Sequence, residues 1–148
     1  MTEDFVEIAE TIARRAHTGQ QDKVGVDYIE HPARVAERVR QYSEVAEAVA
    51  AAWLHDVLED TPVTAEDLRE AGVPDDVIIA VELLTKHQGQ SLEDYCAAVR
   101  ENAMALAVKQ ADVDDNTDPA RTAQLPEETR ERLAAKYART RQLLGVTA

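Results

Sequence analysis

The sequence is poor in cysteine, glycine, proline and large aromatic residues. Its 148 residues include one cysteine, five glycines, five prolines, one tryptophan and one phenylalanine. One cysteine excludes an intrachain disulfide, so Cys96 is expected to pack as a small apolar side chain. Scarce glycine and proline argue against flexible linkers, and no apolar run suits a signal peptide or a membrane span. We therefore predict a single cytoplasmic domain over residues 1–148.

Positive charge is also scarce. Sixteen Lys and Arg residues stand against 29 Asp and Glu residues, which gives a net charge of −13 at pH 7. This excess of acids argues against a nucleic-acid or membrane-surface partner, because both require a basic face. It also disfavours a phosphorylated ligand unless a metal ion and a few local cations reverse the field at the site.

Apolar residues recur at helical spacing through most of the chain, and no segment alternates as a β-strand does. Helices are expected over residues 5–16, 31–39, 45–54, 64–72, 75–86, 91–100, 103–115 and 127–144. The run 45–54 is apolar almost all round, which predicts a central helix. Residues 19–30 are expected to form a loop. The pattern predicts an all-α fold, a compact bundle of six to eight helices.

The segment His55-Asp56-Val57-Leu58-Glu59-Asp60 concentrates one imidazole and three carboxylates directly after the central helix. Side chains three and four residues apart share a helix face, so the four polar groups are expected to line one edge. Because Thr61-Pro62 follows, the acids would lie near the negative end of the helix dipole. A bound divalent cation would offset that repulsion. The alternative is an acidic, solvated helix end with an unrelated histidine.

Two further positions carry candidate metal ligands. His31 lies where the second helix is expected to begin, and Asp112 lies on a late helix. With His55 and Asp56 they would make a set of two imidazoles and two carboxylates, which suits Mn²⁺, Fe²⁺, Co²⁺ or Ni²⁺, with Zn²⁺ possible. Open positions on such an ion could hold water and a phosphoryl oxygen. Glu59 or Asp60 could then position or deprotonate that water.

Together these residues give the chain its resemblance to a known family. It resembles the HD-domain superfamily of metal-dependent phosphohydrolases, and within it the hydrolase domain of RelA/SpoT-type proteins and their small stand-alone relatives. The matching segments, in family order, are Ala16-His17-Thr18-Gly19-Gln20, Tyr28-Ile29-Glu30-His31-Pro32, His55-Asp56-Val57-Leu58-Glu59-Asp60-Thr61, Leu84-Thr85-Lys86, and Val108-Lys109-Gln110-Ala111-Asp112 with Asn116. The family fold is an α-helical bundle, in agreement with the periodicity.

The resemblance implies a function for each matching residue. The metal ligands, usually for Mn²⁺, would be His31, His55, Asp56 and Asp112. The acidic pair that activates water would be Glu59 and Asp60. Residues expected at the nucleotide are Lys23, Tyr28, Asn116, Arg121 and Tyr137.

The resemblance also implies the reaction. The family's enzymes release pyrophosphate from the 3′ position of guanosine tetraphosphate or pentaphosphate, so the expected partner is a small phosphorylated nucleotide. Neither a synthetase domain nor a regulatory domain is expected in this chain. Alternatives that keep the fold are a nucleotide phosphomonoesterase, or a catalytically silent nucleotide-binding module.

The predicted loop departs from the family pattern at Asp22. The family usually has an arginine before the lysine that corresponds to Lys23. A carboxylate beside the phosphates would repel a polyphosphate, so Asp22→Arg is expected to improve kcat/KM for guanosine tetraphosphate. Arg121 could supply the missing positive charge from another direction.

Two residues close to these segments are predicted to be structural. His17 is expected to hydrogen bond to the loop 19–25 rather than to take part in chemistry. Trp53 is expected to anchor the core rather than to stack on a substrate.

Overall fold

The computed structural model describes residues 4–22 and 24–146 and folds them into an all-α bundle. The helices are α1 (Asp4–Ala16), α2 (Glu30–Arg38), α3 (Ala46–Leu54), α4 (Val57–Asp60), α5 (Ala65–Ala71), α6 (Asp75–Leu84), α7 (Leu92–Arg100), α8 (Ala103–Asn116), α9 (Pro119–Thr122) and α10 (Glu127–Leu144). A 3₁₀ turn, Val39–Gln41, extends α2. Within the described ranges, eight helices have seven residues or more, which confirms the predicted bundle. The short helix α9 and the separation of α4 from α3 escaped prediction, since a 3.6-residue period cannot show in so short a segment.

Helix α3 forms the centre of the core, as its apolar sequence predicts. Residues 48–54 are all buried, and α3 packs against α1, α2, α6 and α8. Four of the buried residues are alanines, whose short side chains let neighbouring helices approach closely. Trp53 and Cys96 are also buried in this core, in agreement with the predictions for them.

Side-chain caps define several helix ends outside the core. Thr64 and Asp67 form a reciprocal capping box at the start of α5, and Gly72 ends that helix with φ +101°. Ser91 and Asn102 accept backbone hydrogen bonds at the starts of α7 and α8. No helix in the described part of the chain combines the length and apolarity that crossing a bilayer requires.

The chain departs from the predicted helix edge at His55. Helix α3 ends at Leu54, and Asp56, with φ −106° and ψ −1°, separates it from α4. The expectation that one continuous helix carries all four polar groups is therefore wrong. The imidazole of His55 donates to the carbonyl of Ala52 at 2.7 Å, a contact that favours the turn over a further helical residue. The break turns His55 into the core while Glu59 and Asp60 face solvent.

Candidate metal centre

Two helices and one turn bring the four predicted ligands together. His31 lies in the first turn of α2, Asp112 lies on α8, and His55 and Asp56 form the turn between α3 and α4. One nitrogen each from His31 and His55 and one oxygen of Asp112 all lie within 4.8 Å of one another. Oδ2 of Asp56 lies 3.1 Å from Nε2 of His55 and 3.9 Å from Nε2 of His31. Two imidazoles and two carboxylates thus converge on one small volume.

His55 supplies the observation that tests whether a metal ion fits this volume. Its Nδ1 donates to Ala52, which leaves Nε2 pointed into the cluster. This Nε2 is buried and has no hydrogen-bond partner among the described residues, although Asp56 and Asp112 lie 3.1 and 3.4 Å away. An imidazole nitrogen held among carboxylates without a hydrogen bond has the surroundings of a metal ligand. The donor set fits a divalent cation.

His31 is held by carboxylates on both sides of its ring. Its Nε2 lies 2.9 Å from Oδ1 of Asp112, inside the cluster. Its Nδ1 lies 2.7 Å from Oδ2 of Asp115, outside the cluster. Because an ionised carboxylate only accepts hydrogen bonds, Nδ1 must carry a proton toward Asp115. Nε2 faces Asp112 inside the cluster, where a bound cation would take the place of its proton.

The pKa values of the cluster residues show how their charges stabilise one another in the absence of a cation. Burial alone would lower the pKa of His55 and raise that of Asp56. The opposite charges outweigh burial, so the pKa of His55 lies well above its usual range and that of Asp56 falls to about 2. The pKa of His31 is raised as well, by its bonds to Asp112 and Asp115 against the effect of burial. The raised pKa values of the two imidazoles and the lowered pKa of Asp56 show that the cluster favours positive charge beside its carboxylates, as a divalent ion would supply.

Two residues to which the sequence reasoning assigned no role, Lys109 and Asp115, support the ligands. Lys109 donates to Oδ2 of Asp112 at 2.9 Å and so leaves Oδ1 of that carboxylate toward the imidazoles. Asp115 has no exposed surface and accepts from His31 and from Nε of Arg34 at 2.7 and 2.8 Å. Despite burial, those hydrogen bonds lower the pKa of Asp115 to about 2. The available signal for Asp115 was its three-residue spacing from Asp112, which places both on one face of α8.

Glu59 and Asp60 lie on the solvent side of the cluster, at the edge of a cleft. The backbone N–H of Lys86 donates to Oε1 of Glu59 at 2.8 Å. Lys86 belongs to Leu84-Thr85-Lys86, one of the segments that resemble the family, so this segment fixes the side chain of Glu59. Partial burial and the nearby charges of Asp56 and Glu59 raise the pKa of Asp60 to about 6. Asp60 can therefore exchange a proton near neutral pH.

The cleft beside the cluster has a volume of about 590 Å³, within the range of small-molecule sites. Four of the five residues predicted at the nucleotide line it, namely Tyr28, Asn116, Arg121 and Tyr137. Lys23, the fifth, lies outside the described residues. The hydroxyl of Tyr28 donates to Asp56, and the amide of Asn116 donates to Asp112 at 3.0 Å. Both side chains thus connect the cleft to the cluster.

Asp22 lines the same cleft but is not an isolated negative charge. Its Oδ1 accepts from the backbone N–H groups of Val24 and Val26 at 2.9 and 3.0 Å. Its Oδ2 lies 3.6 Å from Arg121. Asp22 therefore holds the loop in shape and partly neutralises a cation of the cleft.

His17 contacts the loop as predicted. It is buried, and its Nδ1 lies 3.0 Å from the side-chain oxygen of Gln20. Its ring packs 5.0 Å from that of Tyr28, measured between centroids. His17 thus supports the loop and the tyrosine that reaches Asp56.

Comparison with known proteins gives a family match over nearly the whole chain. A family model described as "HD domain" matches residues 9–146. The chain is 54% identical over 59 residues to a guanosine-3′,5′-bis(diphosphate) 3′-pyrophosphohydrolase of Haemophilus influenzae, across 40% of this chain and 9% of that protein. A protein of the same name from Aquifex aeolicus is 32% identical over 119 residues, across 75% of this chain and 17% of the relative. The chain therefore spans less than a fifth of the length of these curated relatives.

A solved structure shares the fold. It is described as "A metazoan ortholog of SpoT hydrolyzes ppGpp and plays a role in starvation responses". The two structures superpose with a TM-score of 0.75 at 23% sequence identity, over 95% of this chain and 85% of the other. At that identity the likeness establishes the helical fold.

Proposed function

Because this chain belongs to the HD-domain family, we propose that it is a metal-dependent phosphohydrolase of small phosphorylated nucleotides. The proposed reaction is release of pyrophosphate from the 3′ position of guanosine tetraphosphate. One observation carries the proposal: a cluster of two buried imidazoles, one buried carboxylate and one half-buried carboxylate adjoins a cleft edged by Glu59 and Asp60. We also propose that residues 1–148 act as one domain and that the protein is cytoplasmic.

The names of the relatives support this choice of reaction. The matched proteins of Haemophilus influenzae and Aquifex aeolicus are both named guanosine-3′,5′-bis(diphosphate) 3′-pyrophosphohydrolase. The family match covers residues 9–146, so it includes every predicted site residue. Extending the activity from those longer proteins to this chain is our proposal.

The proposed metal ligands are His31, His55, Asp56 and Asp112, with Mn²⁺ as the proposed ion. A divalent ion at such a site acidifies water and polarises a phosphoryl group. The protein's own contribution is to fix the donors: Ala52 orients His55, Asp115 orients His31, and Lys109 holds one oxygen of Asp112. These contacts reduce the reorganisation that binding a cation requires.

Glu59 and Asp60 are the proposed acid–base pair. In the metal-free cluster the pKa of Asp60 is raised to about 6, and a carboxylate at this position can accept a proton from water and return it to a leaving group. Glu59, held by Lys86, keeps a second carboxylate beside it and maintains that raised pKa. The pair lies at the edge of the cleft, where a substrate and a water molecule could both reach it.

The proposed substrate-binding residues are Lys23, Tyr28, Asn116, Arg121 and Tyr137. Arg121 offers a guanidinium to an anionic group within the cleft, where planar donors bind phosphate well. Tyr28 and Asn116 connect substrate and metal because each also contacts a proposed ligand.

A screen of phosphorylated nucleotides with Mn²⁺ tests this function, with free phosphate and pyrophosphate measured separately. We expect guanosine tetraphosphate to yield pyrophosphate, and no turnover after chelation of the metal. Turnover of that nucleotide to orthophosphate alone would contradict the proposed reaction. Tight nucleotide binding without turnover of any compound would favour a silent binding module.

A phosphomonoesterase remains the second candidate because of one observation. Asp22 partly neutralises Arg121, and Asp56, Glu59, Asp60 and Asp112 also line the cleft. So acidic a cleft suits a less anionic substrate than a tetraphosphate. In the same screen, this alternative predicts orthophosphate from a nucleoside monophosphate or from the phosphate of a nicotinamide cofactor.

A further inference from the structure

Asp115 makes more polar contacts than the proposed mechanism requires of it. It has no exposed surface, although it is an aspartate near the end of α8. Its Oδ1 accepts from Nε of Arg34 at 2.8 Å and lies 3.3 Å from Nε of Arg38. Its Oδ2 contacts Nδ1 of His31 at 2.7 Å and a terminal nitrogen of Arg121 at 3.2 Å. Each oxygen therefore has two donors, which uses most of the accepting capacity of the group.

Two of these donors face different parts of the site. His31 presents its other ring nitrogen, Nε2, to the candidate metal cluster, 2.9 Å from Asp112. Arg121 lines the nucleotide cleft, and the same nitrogen also donates to the backbone carbonyl of Asp115 at 2.9 Å. The orientation of an imidazole ligand and the position of a cleft cation thus depend on one carboxylate. Arg34 and Arg38 hold that carboxylate through its other oxygen, Oδ1.

We propose that Asp115 is a positioning residue that couples the metal centre to the substrate cleft. It holds the proton of His31 on Nδ1 and so presents Nε2 to the metal, while it places Arg121 where an anionic substrate group would lie. The second half rests on the proposed function, whereas the first requires only that the cluster binds a divalent ion. Outer carboxylates that orient a histidine ligand typically contribute 10- to 100-fold to metal affinity.

The test compares Asp115→Asn with the matched substitution Asp114→Asn. Asp114 lies on the same helix and also binds an arginine, Arg141 at 3.0 Å, but it contacts neither His31 nor the cleft. Mn²⁺ binding is measured from the electron paramagnetic resonance signal of the free ion, and folding from circular dichroism. We expect Mn²⁺ affinity to fall about 10- to 100-fold in Asp115→Asn and to stay near wild type in Asp114→Asn. Unchanged affinity in folded Asp115→Asn would overturn the proposal.

A third variant, Arg121→Gln, separates the two halves of the coupling. It removes one cation of the cleft but keeps Asp115 on His31, so KM for the nucleotide should rise while Mn²⁺ affinity does not fall. Asp115→Asn should change both quantities. Equal loss of Mn²⁺ affinity in the two variants would contradict a direct contact through His31. If wild type binds Mn²⁺ but hydrolyses no nucleotide, the proposed function fails while the metal-binding comparison still decides the role of Asp115.

Removing a carboxylate from among three arginines could prevent folding, so a measurement on the wild-type protein is added. Nitrogen-15 NMR of the Zn²⁺-loaded protein reports which ring nitrogen of His31 carries the proton. We expect a protected proton on Nδ1, because that nitrogen faces Asp115. A proton on Nε2, or a rapidly exchanging one on Nδ1, would overturn the proposal whatever the variants do.

Discussion

The two ring nitrogens of His55 have very different surroundings, and this difference is the clearest residue-level evidence for a metal. One nitrogen donates to Ala52, and the other lies between two carboxylates without a hydrogen bond. The alternative interpretation of this segment is an acidic, solvated helix end with a histidine that has no role at a metal site. Such a histidine would be exposed to water. The burial of His55 excludes that alternative.

Substitutions at the cluster and at its solvent side should separate metal binding from turnover. Asp56→Ala removes a proposed ligand, so metal and activity should be lost together. Glu59→Gln and Asp60→Asn should keep the metal and lower turnover, since a general base typically contributes about 10²- to 10⁴-fold. Metal content by mass spectrometry and kcat on the nucleotide measure the two effects.

A surface substitution provides the control for this comparison. Glu66 pairs with Arg69 on the exposed face of α5 and lies outside the cleft, so Glu66→Gln should change neither quantity. Full activity in both Glu59→Gln and Asp60→Asn would show that the assigned roles are wrong.

The raised pKa of Asp60 predicts a pH-dependent effect on stability in the metal-free protein. Folding favours the protonated carboxyl, because the folded pKa is about 6 whereas the ordinary value is 3.8. The stabilising contribution is therefore complete below the ordinary value and is lost as pH rises toward 6. Relative to wild type, Asp60→Asn should thus gain in melting temperature as pH rises through that window, and the gain should level off above it. Thermal unfolding with a chelator present measures the difference.

Addition of Mn²⁺ serves as the internal control for this pH effect. A nearby cation favours the ionised carboxylate, so the window should move to lower pH when the metal is bound. A difference between Asp60→Asn and wild type that does not vary with pH would contradict the assignment.

Residues that belong to the matching segments could be predicted from sequence, whereas the partners of those residues could not. His31, His55, Asp56 and Asp112 are chemically suited to bind a metal and occur in a specific order. Asp115 offered only its three-residue spacing from Asp112, and an aspartate near a helix end is usually solvated. Only the packing of α2 against α8 buries it beside His31.

At the scale of elements, the turn between α3 and α4 and the loop before α2 shape the site. The periodicity of apolar residues predicted α3 and its central position. It also predicted that the helix continues through His55 and Asp56, whereas α3 ends at Leu54. The sequence contains no proline or glycine between Leu54 and Asp60 that would mark a break. The break follows from side-chain contacts, notably that of His55 with Ala52, which no local pattern reports.

The loop contacts of Asp22 change the expectation for substitutions there. Asp22→Arg would lose both hydrogen bonds to the loop backbone and place a second guanidinium beside Arg121. We now expect it to lower kcat/KM for guanosine tetraphosphate. Asp22→Asn keeps an oxygen for Val24 and Val26 but releases Arg121, so it should lower KM for the same nucleotide. Steady-state kinetics on both variants test this.

The comparison between the two Asp22 variants contains its own control. A less anionic substrate, such as a nucleoside monophosphate, should gain less from Asp22→Asn, because it has fewer charges to attract. Equal improvement by Asp22→Arg and Asp22→Asn would mean that the charge of Asp22 matters and its loop contacts do not.

At the scale of the whole molecule, this acidic protein places two cations in a cleft that five carboxylates also line. The chain carries a net charge of −13, yet Arg121 and Lys136 line the cleft and Lys109 contacts Asp112. Composition alone predicted that a phosphorylated ligand would require a metal ion and local cations to reverse the negative electrostatic potential at the site. It could not say which cations, because their positions depend on how α8, α9 and α10 pack.

The central claim is that His31, His55, Asp56 and Asp112 bind one divalent ion. A crystal structure of the Mn²⁺-loaded protein, with anomalous data collected above the manganese absorption edge, tests this most directly. The account predicts one strong anomalous peak per chain, bounded by Nε2 of both histidines and an oxygen of each aspartate. A peak elsewhere, or no peak while His31 still contacts Asp112 as in the metal-free cluster, would contradict it.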